Sequence, residues 1–272
     1  MGRSYQWGAV VPFVLVHGAV LAVFWIPFSW RLAGLAALLY FARMFGVTAG
    51  YHRYFSHRSY KLGRVSQFLM ACLAQSSGQK GALWWAAHHR LHHRESDREE
   101  DVHSPWQSGF WWSHMGWVIS NRYDEYDPRA VAEFARFPEL VWLDRHHWVP
   151  TVALAAALAA FGGWPAFVWG YVVSTVVLYH CTFSINSFAH LFGSRRFDTP
   201  DQSRNNAVLA FFTMGEGWHN NHHYSPGSCR QGFRWWELDM TYGILRALSW
   251  VGIVSEMRPF RRVRLDAERE AA

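Results

Sequence analysis

The chain alternates long uncharged stretches with broad polar ones. No charged residue occurs from Trp7 to Phe28, a run that satisfies the ~20 residues a helix needs to cross a bilayer core. A second apolar stretch, from about Leu32 to Gly50, carries one charge, Arg43, and only Ser29-Trp30-Arg31 separates it from the first. So short a link predicts a tight antiparallel hairpin. A third uncharged stretch, Trp148 to Tyr179, is broken by Phe161-Gly162-Gly163-Trp164-Pro165, residues that turn a chain. The pattern therefore predicts four spans, at about 8–28, 32–50, 148–162 and 165–190, the last running on through Asn186 to His190. The first run exceeds the apolar core of a cleaved leader and a second span follows it at once, so it is read as retained.

Residues 51–147 and 191–272 are polar or mixed and are expected to form a helical cap on one side of the membrane. The loops on the other side hold only Arg31. Positive charge prefers the inner side, which places the cap in the cytosol. The expectation is an all-α membrane protein, one integral-membrane domain over 1–272. Arg43 is costly inside a span and is expected either to find a partner near the functional end, the favoured reading, or to snorkel toward it. The tail Arg258-Pro259-Phe260-Arg261-Arg262-Val263-Arg264 suits an anionic lipid surface.

Composition sharpens this picture. There are 17 Trp, and aromatics make up 18% of the chain, which fits long membrane interfaces where indoles anchor. Mean hydropathy is only −0.09, because a large polar region shares the chain with the spans. The net charge of +6 lies in blocks between and after the apolar runs, so it reads as a membrane-facing surface and not as a nucleic-acid footprint. The three cysteines, Cys72, Cys181 and Cys229, form no CxxC pair and imply neither a disulfide framework nor a thiolate metal site. Arginine outnumbers lysine heavily, with only Lys61 and Lys80 present, which points to a bacterial source and hence to the inner membrane.

The cap carries the chemistry. His89-Arg-Leu-His-His93 and His219-Asn-Asn-His-His223 repeat one spacing, and on a helix such positions share a face. His52 and His57 follow span two, while Asn186 and His190 end span four. Nine imidazoles and an amide exceed one ion, since a zinc site takes three or four protein ligands. Two ions fit better, and an imidazole shell suits iron, copper or zinc. His17, His103, His114, His146, His147 and His180 lack partners at ligand spacing and His88 merely abuts a box; all seven are expected to be structural. Glu216, Asp97, Glu99 and Asp101 are candidates to orient ring N–H groups. No HExxH stands in the chain, which disfavours a zinc protease, and no CxxCH, iron–sulfur cysteine spacing or GxGxxG after a strand occurs, so no haem-attachment, cluster or dinucleotide motif is present.

With Gly46-Val-Thr-Ala-Gly-Tyr-His52 and Gly215-Glu-Gly-Trp218 before the last box, the set resembles the membrane stearoyl-CoA (acyl-CoA delta-9) desaturase family in its bacterial form. The resemblance runs from span one to the arginine-rich tail. It implies four transmembrane helices under a cytosolic cap that holds two Fe ions, with O2 as co-substrate. It assigns His52, His89, His93 and His222 to one iron, with Asn186 through a water, and His57, His92, His190, His219 and His223 to the other. It places Gln79, Trp85 and Thr182 where the acyl chain bends beside the metals, and Tyr40 and Met44 at the tunnel floor. The implied reaction is insertion of a cis double bond into a saturated C16 or C18 chain, carried as a thioester or in a lipid. The implied donor is a ferredoxin, rubredoxin or cytochrome. Two departures stand out: Asp101-Val102-His103 lacks the proline frequent after the second box, and the long hydrophilic N-terminal extension of the animal enzymes is missing. The nearest rival is a histidine-box lipid or alkane hydroxylase. A rival of another class is a membrane haem carrier or metal transporter.

Overall fold

The computed structural model describes residues 5–260. Its elements are helical apart from a two-residue antiparallel pairing of Lys61-Leu62 with Val254-Ser255. Three helical runs are long and apolar enough to cross a membrane: Trp7–Trp25, Trp30–Ser56 and Trp148–Leu191. The first comprises α1 (Trp7–Ala19) and a tighter turn, Val20–Trp25. The second comprises α2 (Trp30–Phe45) and a widened π-helical segment, Gly46–Ser56. In the cap follow α3 (Arg64–Gln75) and α4 (Ala82–Glu95). The third run comprises α5 (Trp148–Ala166), the π-helical Phe167–Val173, α6 (Ser174–Asn186) and a final short turn of helix, Phe188–Leu191. The short α7 (His219–Tyr224) carries the last histidine box.

The third run spans 44 residues, about 66 Å if straight at ~1.5 Å per residue, more than twice the ~30 Å hydrocarbon core. It is not straight. Gly163 has φ 68 and ψ −173, a conformation only glycine takes without strain, and Pro165 beyond it removes a backbone donor. Past this break the chain turns back, and Phe167–Val173 packs along α5. The reversal falls inside the Phe161–Pro165 segment expected to turn.

The spans differ in what they face. No residue of α1 is buried, as expected of a helix apolar all round its circumference with lipid on most sides. The second run is half buried and forms the centre, packing on α3, on α6 and on Phe167–Val173. Gly46 permits the close approach to α3: a Cβ there would stand 2.8 Å from the Ala74 nitrogen. This run also continues to Ser56, beyond the expected Gly50, because His52 and Arg53 find buried polar partners in the cap. Arg53 bonds Glu216 and Asp239 at 3.1 and 3.0 Å.

Arg43 is placed differently from expectation. It is 1% exposed and donates to Thr175 Oγ1 at 2.7 Å, Ser174 Oγ at 2.5 Å and the Ser76 carbonyl at 3.4 Å. Its partners are therefore neutral groups within the bundle rather than groups at the histidine site. In the tail, Arg258 is tied by backbone bonds to Ser59 and Cys229, at 2.8 and 2.9 Å. Residues 261–264 of the expected lipid anchor lie outside the described residues.

Candidate metal centre

Four chain segments converge to make the site. The π-helical end of the second run delivers His52, and His57 follows it directly. α4 delivers His89, His92 and His93; the short turn after α6 delivers His190; α7 delivers His219, His222 and His223. Local sequence explains α7. Gly215 has φ 122, and a Cβ on Gly217 would stand 2.1 Å from the Ala210 nitrogen, so the Gly-Glu-Gly sequence lets the chain pass tightly over the preceding helix. Asn220 accepts from the Arg196 and Phe197 nitrogens, both at 2.8 Å. Asn221 donates to the Gln231 carbonyl at 2.9 Å and to Glu237 at 3.0 Å. The two amides thus bolt α7 to the cap while its imidazoles turn inward.

The nine imidazoles form two groups. His52, His57, His89, His93 and His222 can each offer one ring nitrogen within 4.8 Å of the others, and so can His92, His190, His219 and His223. In the first group, Nε2 of His52 stands 2.9 Å from that of His222, and His57 is 2.9 Å from His89. In the second, Nε2 of His190 is 3.0 Å from that of His219. The expected division of these residues needs one correction: His57 gathers with the first group and not with the second, because it directly ends the π-helical turn that carries His52.

Four of the nine rings turn their other nitrogen to a carboxylate, whereas Nδ1 of His219 is buried without a hydrogen-bond partner. Nδ1 of His92 faces Asp101 at 2.9 Å, that of His190 faces Asp97 at 2.8 Å, and that of His223 faces Asp201 at 2.5 Å. Nδ1 of His52 faces Glu216. A carboxylate accepts only, so each Nδ1 must carry the hydrogen, leaving Nε2 as a lone pair. These lone pairs point into the protein, and the buried Nε2 atoms of His92 and His223 have no hydrogen-bond partner. Buried acceptors without a donor are costly. Cations at the two foci would satisfy them, so the residues fit a pair of metal ions.

Electrostatics agrees with this donor set. Burial, then the neighbouring imidazoles, holds His57, His89, His93, His219 and His222 well below the ordinary imidazole value, so they are neutral ligands at pH 7. Burial would also lower His92, but Asp101 outweighs it and raises that ring. The carboxylates would be raised by burial. Their imidazole partners, joined by backbone donors at the aspartates and by Arg53 and Gln231 at Glu216, prevail and hold Asp97, Asp101, Asp201 and Glu216 below the usual range.

Of the acidic candidates, Glu216, Asp97 and Asp101 meet ring nitrogens as expected, while Glu99 is exposed on the surface. Asp201 and Gln231 were not foreseen. Asp201 lies in Thr-Pro-Asp-Gln, far from any box, and only the path of the loop brings it to His223. Gln231 Nε2 stands 3.0 Å from Glu216 and 3.3 Å from His52 Nδ1. His103, expected to be merely structural, is buried with its ring 4.2 Å from that of His92. It forms a further close group with His92 and Asp101. Asp101 is already engaged there by His92 Nδ1 and by the backbone nitrogens of Asp97 and His103, so this group supports His92.

Beside the first group lies a cavity of about 30 Å³, lined by Gln79, Trp85, His89, Thr182 and Asn186 among others. Gln79 Nε2 donates to Thr182 Oγ1 at 3.2 Å. The Trp85 ring stacks on His89 with centroids 4.8 Å apart and on Tyr51 at 5.5 Å. Tyr40 and Met44 are buried in the core, with Tyr40 donating to the Phe212 carbonyl at 2.5 Å. Neither of them lines this cavity.

Comparison with known proteins adds a family. The model of the fatty acid desaturase family matches residues 28–250. The chain is 36% identical over 256 residues to the sn-1 stearoyl-lipid 9-desaturase of Anabaena variabilis, covering 93% of this chain and 94% of that one. It is 36% identical to the chloroplastic palmitoyl-monogalactosyldiacylglycerol delta-7 desaturase of Arabidopsis thaliana, over 94% of this chain and 70% of that one. It is 35% identical to the icosanoyl-CoA 5-desaturase of Limnanthes douglasii, over 92% of this chain and 71% of that one.

Proposed function

The chain belongs to the fatty acid desaturase family and is a fatty acyl desaturase, and from that premise we propose that it inserts a cis double bond at the ninth carbon of a saturated palmitoyl or stearoyl chain. Two iron ions would be held by His52, His57, His89, His93 and His222 and by His92, His190, His219 and His223, with Asn186 close to the first group. When bound, the irons supply the activation of O2 and the oxidising power. In balance, two adjacent methylenes lose one hydrogen each. These, with two protons and two electrons from an external donor, reduce O2 to two waters.

The chain's own residues supply placement. An unactivated methylene has no polar handle, so the choice of carbon must come from the depth and bend of the channel. Trp85, stacked on His89, walls the channel next to the metals. The bond between Gln79 and Thr182 ties the segment before α4 to α6 across it, where a bent chain would pass. Asp97, Asp101, Asp201 and Glu216 keep the Nδ1 hydrogens in place, so the Nε2 lone pairs stay aimed inward. Together with the break at Gly163, the length of the third run supports four crossings; the lack of positive charge in the opposite loops favours the cap in the cytosol, and the arginine-rich, lysine-poor composition favours a bacterial inner membrane. One integral-membrane domain, 1–272, would hold the whole site. The basic cytosolic surface suits an acidic ferredoxin, rubredoxin or cytochrome-type donor.

The observation that carries this reading is the pair of convergent imidazole groups placed beside a cavity walled by Trp85, Gln79 and Thr182. Expression in a host lacking its own desaturase, followed by mass spectrometry of double-bond positions, tests it. Unsaturation at the ninth carbon that disappears in His222→Ala is expected. A hydroxylated product, or unsaturation that survives the substitution, contradicts it.

A further inference from the structure

The small cavity beside His89 is walled in large part by oxidisable rings: Trp84, Trp85 and Trp117, with His103 next to them. On the proposed reading this lies beside the place where a saturated hydrocarbon is attacked. An indole loses an electron far more readily than a methylene loses a hydrogen atom. Oxidising power sufficient for the acyl chain is therefore sufficient for these rings, and excluding such competing reactions falls to the protein. With a chain in place its methylenes are the nearest target; without one, the indoles are.

Three of these rings lead outward. The His103 ring stands 4.2 Å from that of His92 and 5.0 Å from that of Trp117, centroid to centroid. Trp117 lies nearly parallel to Trp84 at 5.6 Å, and its ring is 6.5 Å from that of Tyr123. Nε1 of Trp84 donates to the Tyr123 carbonyl at 2.6 Å. Trp84 and Trp117 are buried, whereas Tyr123 is partly exposed beside the exposed Arg122. Ring contacts therefore run unbroken from a member of the second imidazole group to the surface of the cap. Lys80 stands 4.8 Å over the Trp84 ring, where it would oppose positive charge on the indole, but its pairing with Asp124 at 2.8 Å offsets this. Trp85 has no comparable exit: it stacks on His89 and on Tyr51, and Tyr51 is fully buried.

We infer that His103, Trp117, Trp84 and Tyr123 form a discharge path: oxidising equivalents produced when no acyl chain is bound leave the centre along these rings and are quenched at the cap surface by a soluble thiol. The electrons and protons balance as follows. O2 needs four of each to become two waters. The external donor supplies two electrons, with two protons from solvent. In desaturation the acyl chain supplies the rest as two hydrogens. Without a chain, the two missing electrons pass inward one at a time from Tyr123 through Trp84 and Trp117. On each pass the Tyr123 hydroxyl releases its proton to solvent, which replaces one consumed in forming water, and then regains a hydrogen from a thiol. Two thiols so oxidised join as a disulfide. The inference rests on the reading of the chain as an acyl desaturase and gives it a second, protective activity.

The test uses the purified, iron-loaded full chain, cycled with O2, glutathione and an electron donor that supports desaturation in a parallel sample, with acyl chains omitted. Electron paramagnetic resonance of samples frozen during turnover is expected to show a tyrosyl radical in the parent, no tyrosyl radical in Tyr123→Phe, and an indole radical in Tyr123→Trp, which keeps an oxidisable ring at the surface. Peptide mass spectrometry is expected to find oxygen additions on Trp84, Trp85 and Trp117 severalfold more abundant in Tyr123→Phe than in the parent or in Tyr123→Trp. Tyr126→Phe, which removes a hydroxyl from the same cluster but outside the row of rings, is expected to match the parent. With acyl substrate added, all variants form the double bond at the parent rate, and equal metal content shows that they have folded. Oxygen additions no greater in Tyr123→Phe than in the parent overturn the inference while the desaturase reading stands. So does slowed desaturation in Tyr123→Phe, which would make the row the inlet for donor electrons. A parent that forms no double bond with any donor overturns both.

Discussion

The two imidazole groups are made of the same residue type but are built differently. In the second group, three of four rings are held by a dedicated aspartate, and His92, His190 and His219 are buried. In the first, only His52 meets a carboxylate, Glu216, which Arg53 and Gln231 share. Three of its five residues, His57, His89 and His93, retain some exposure as residues, although their rings are buried. The second group is thus fixed by anionic supports at three of its four rings, while the first is fixed chiefly by ring-to-ring packing and adjoins the small cavity at His89. On the proposed reading the two groups divide the labour: the second would retain its ion firmly, and the first would face the acyl chain.

Removing a support from the firm side breaks this contrast most sharply. Asp201→Asn leaves the His223 ring without its anion and is expected to weaken metal binding by about 10–100-fold, read as metal per chain after dialysis against a graded chelator. The loss falls on one of two ions. Equal loss of both would show that the groups are not independent. A smaller effect is expected from the open side. Gln79→Leu removes the bond to Thr182, worth about 1 kcal/mol, and is expected to broaden the double-bond position by a few-fold in favour of neighbouring carbons, measured by mass spectrometry, with metal content unchanged. A sharp single position in the variant would remove Gln79 from the bend.

Acid sensitivity gives the mildest test. His57, His89, His93, His219 and His222 have folded values below their ordinary 6.5. Below about pH 6.5 the unfolded chain takes up protons that the folded protein refuses, so acid favours unfolding. Stability of the metal-free protein is expected to be full above that pH and to fall as pH drops through it. His92 shifts the opposite way, so it offsets a small part of the loss. Melting of the metal-free protein between pH 8 and 5 checks the sign, and a transition that does not move with pH contradicts the buried neutral rings.

Much of this was legible in the sequence because its signals are local. Uncharged runs of bilayer length mark the spans, Gly163 and Pro165 mark the reversal, and two boxes of identical spacing mark the site. The parts that were not legible depend on where loops travel. Asp201 holds His223 from 22 residues away, and Gln231 reaches His52 across 179, distances that no periodicity encodes. His57 was expected with the second group, but the widened turn that ends at Ser56 keeps it beside His52. Arg43 was expected near the site; its hydroxyl partners, Ser174 and Thr175, lie 131 and 132 residues along the chain and are unremarkable in composition. Helix packing, not pattern, chose them.

The central claim is a cage of two ions divided between five and four imidazoles, and anomalous diffraction at the iron edge from crystals of the purified protein tests it most directly. Two peaks are predicted, one within reach of His52, His57, His89, His93 and His222 and the other within reach of His92, His190, His219 and His223. A single peak, or one in which His57 has joined His92 and His223, would contradict the account.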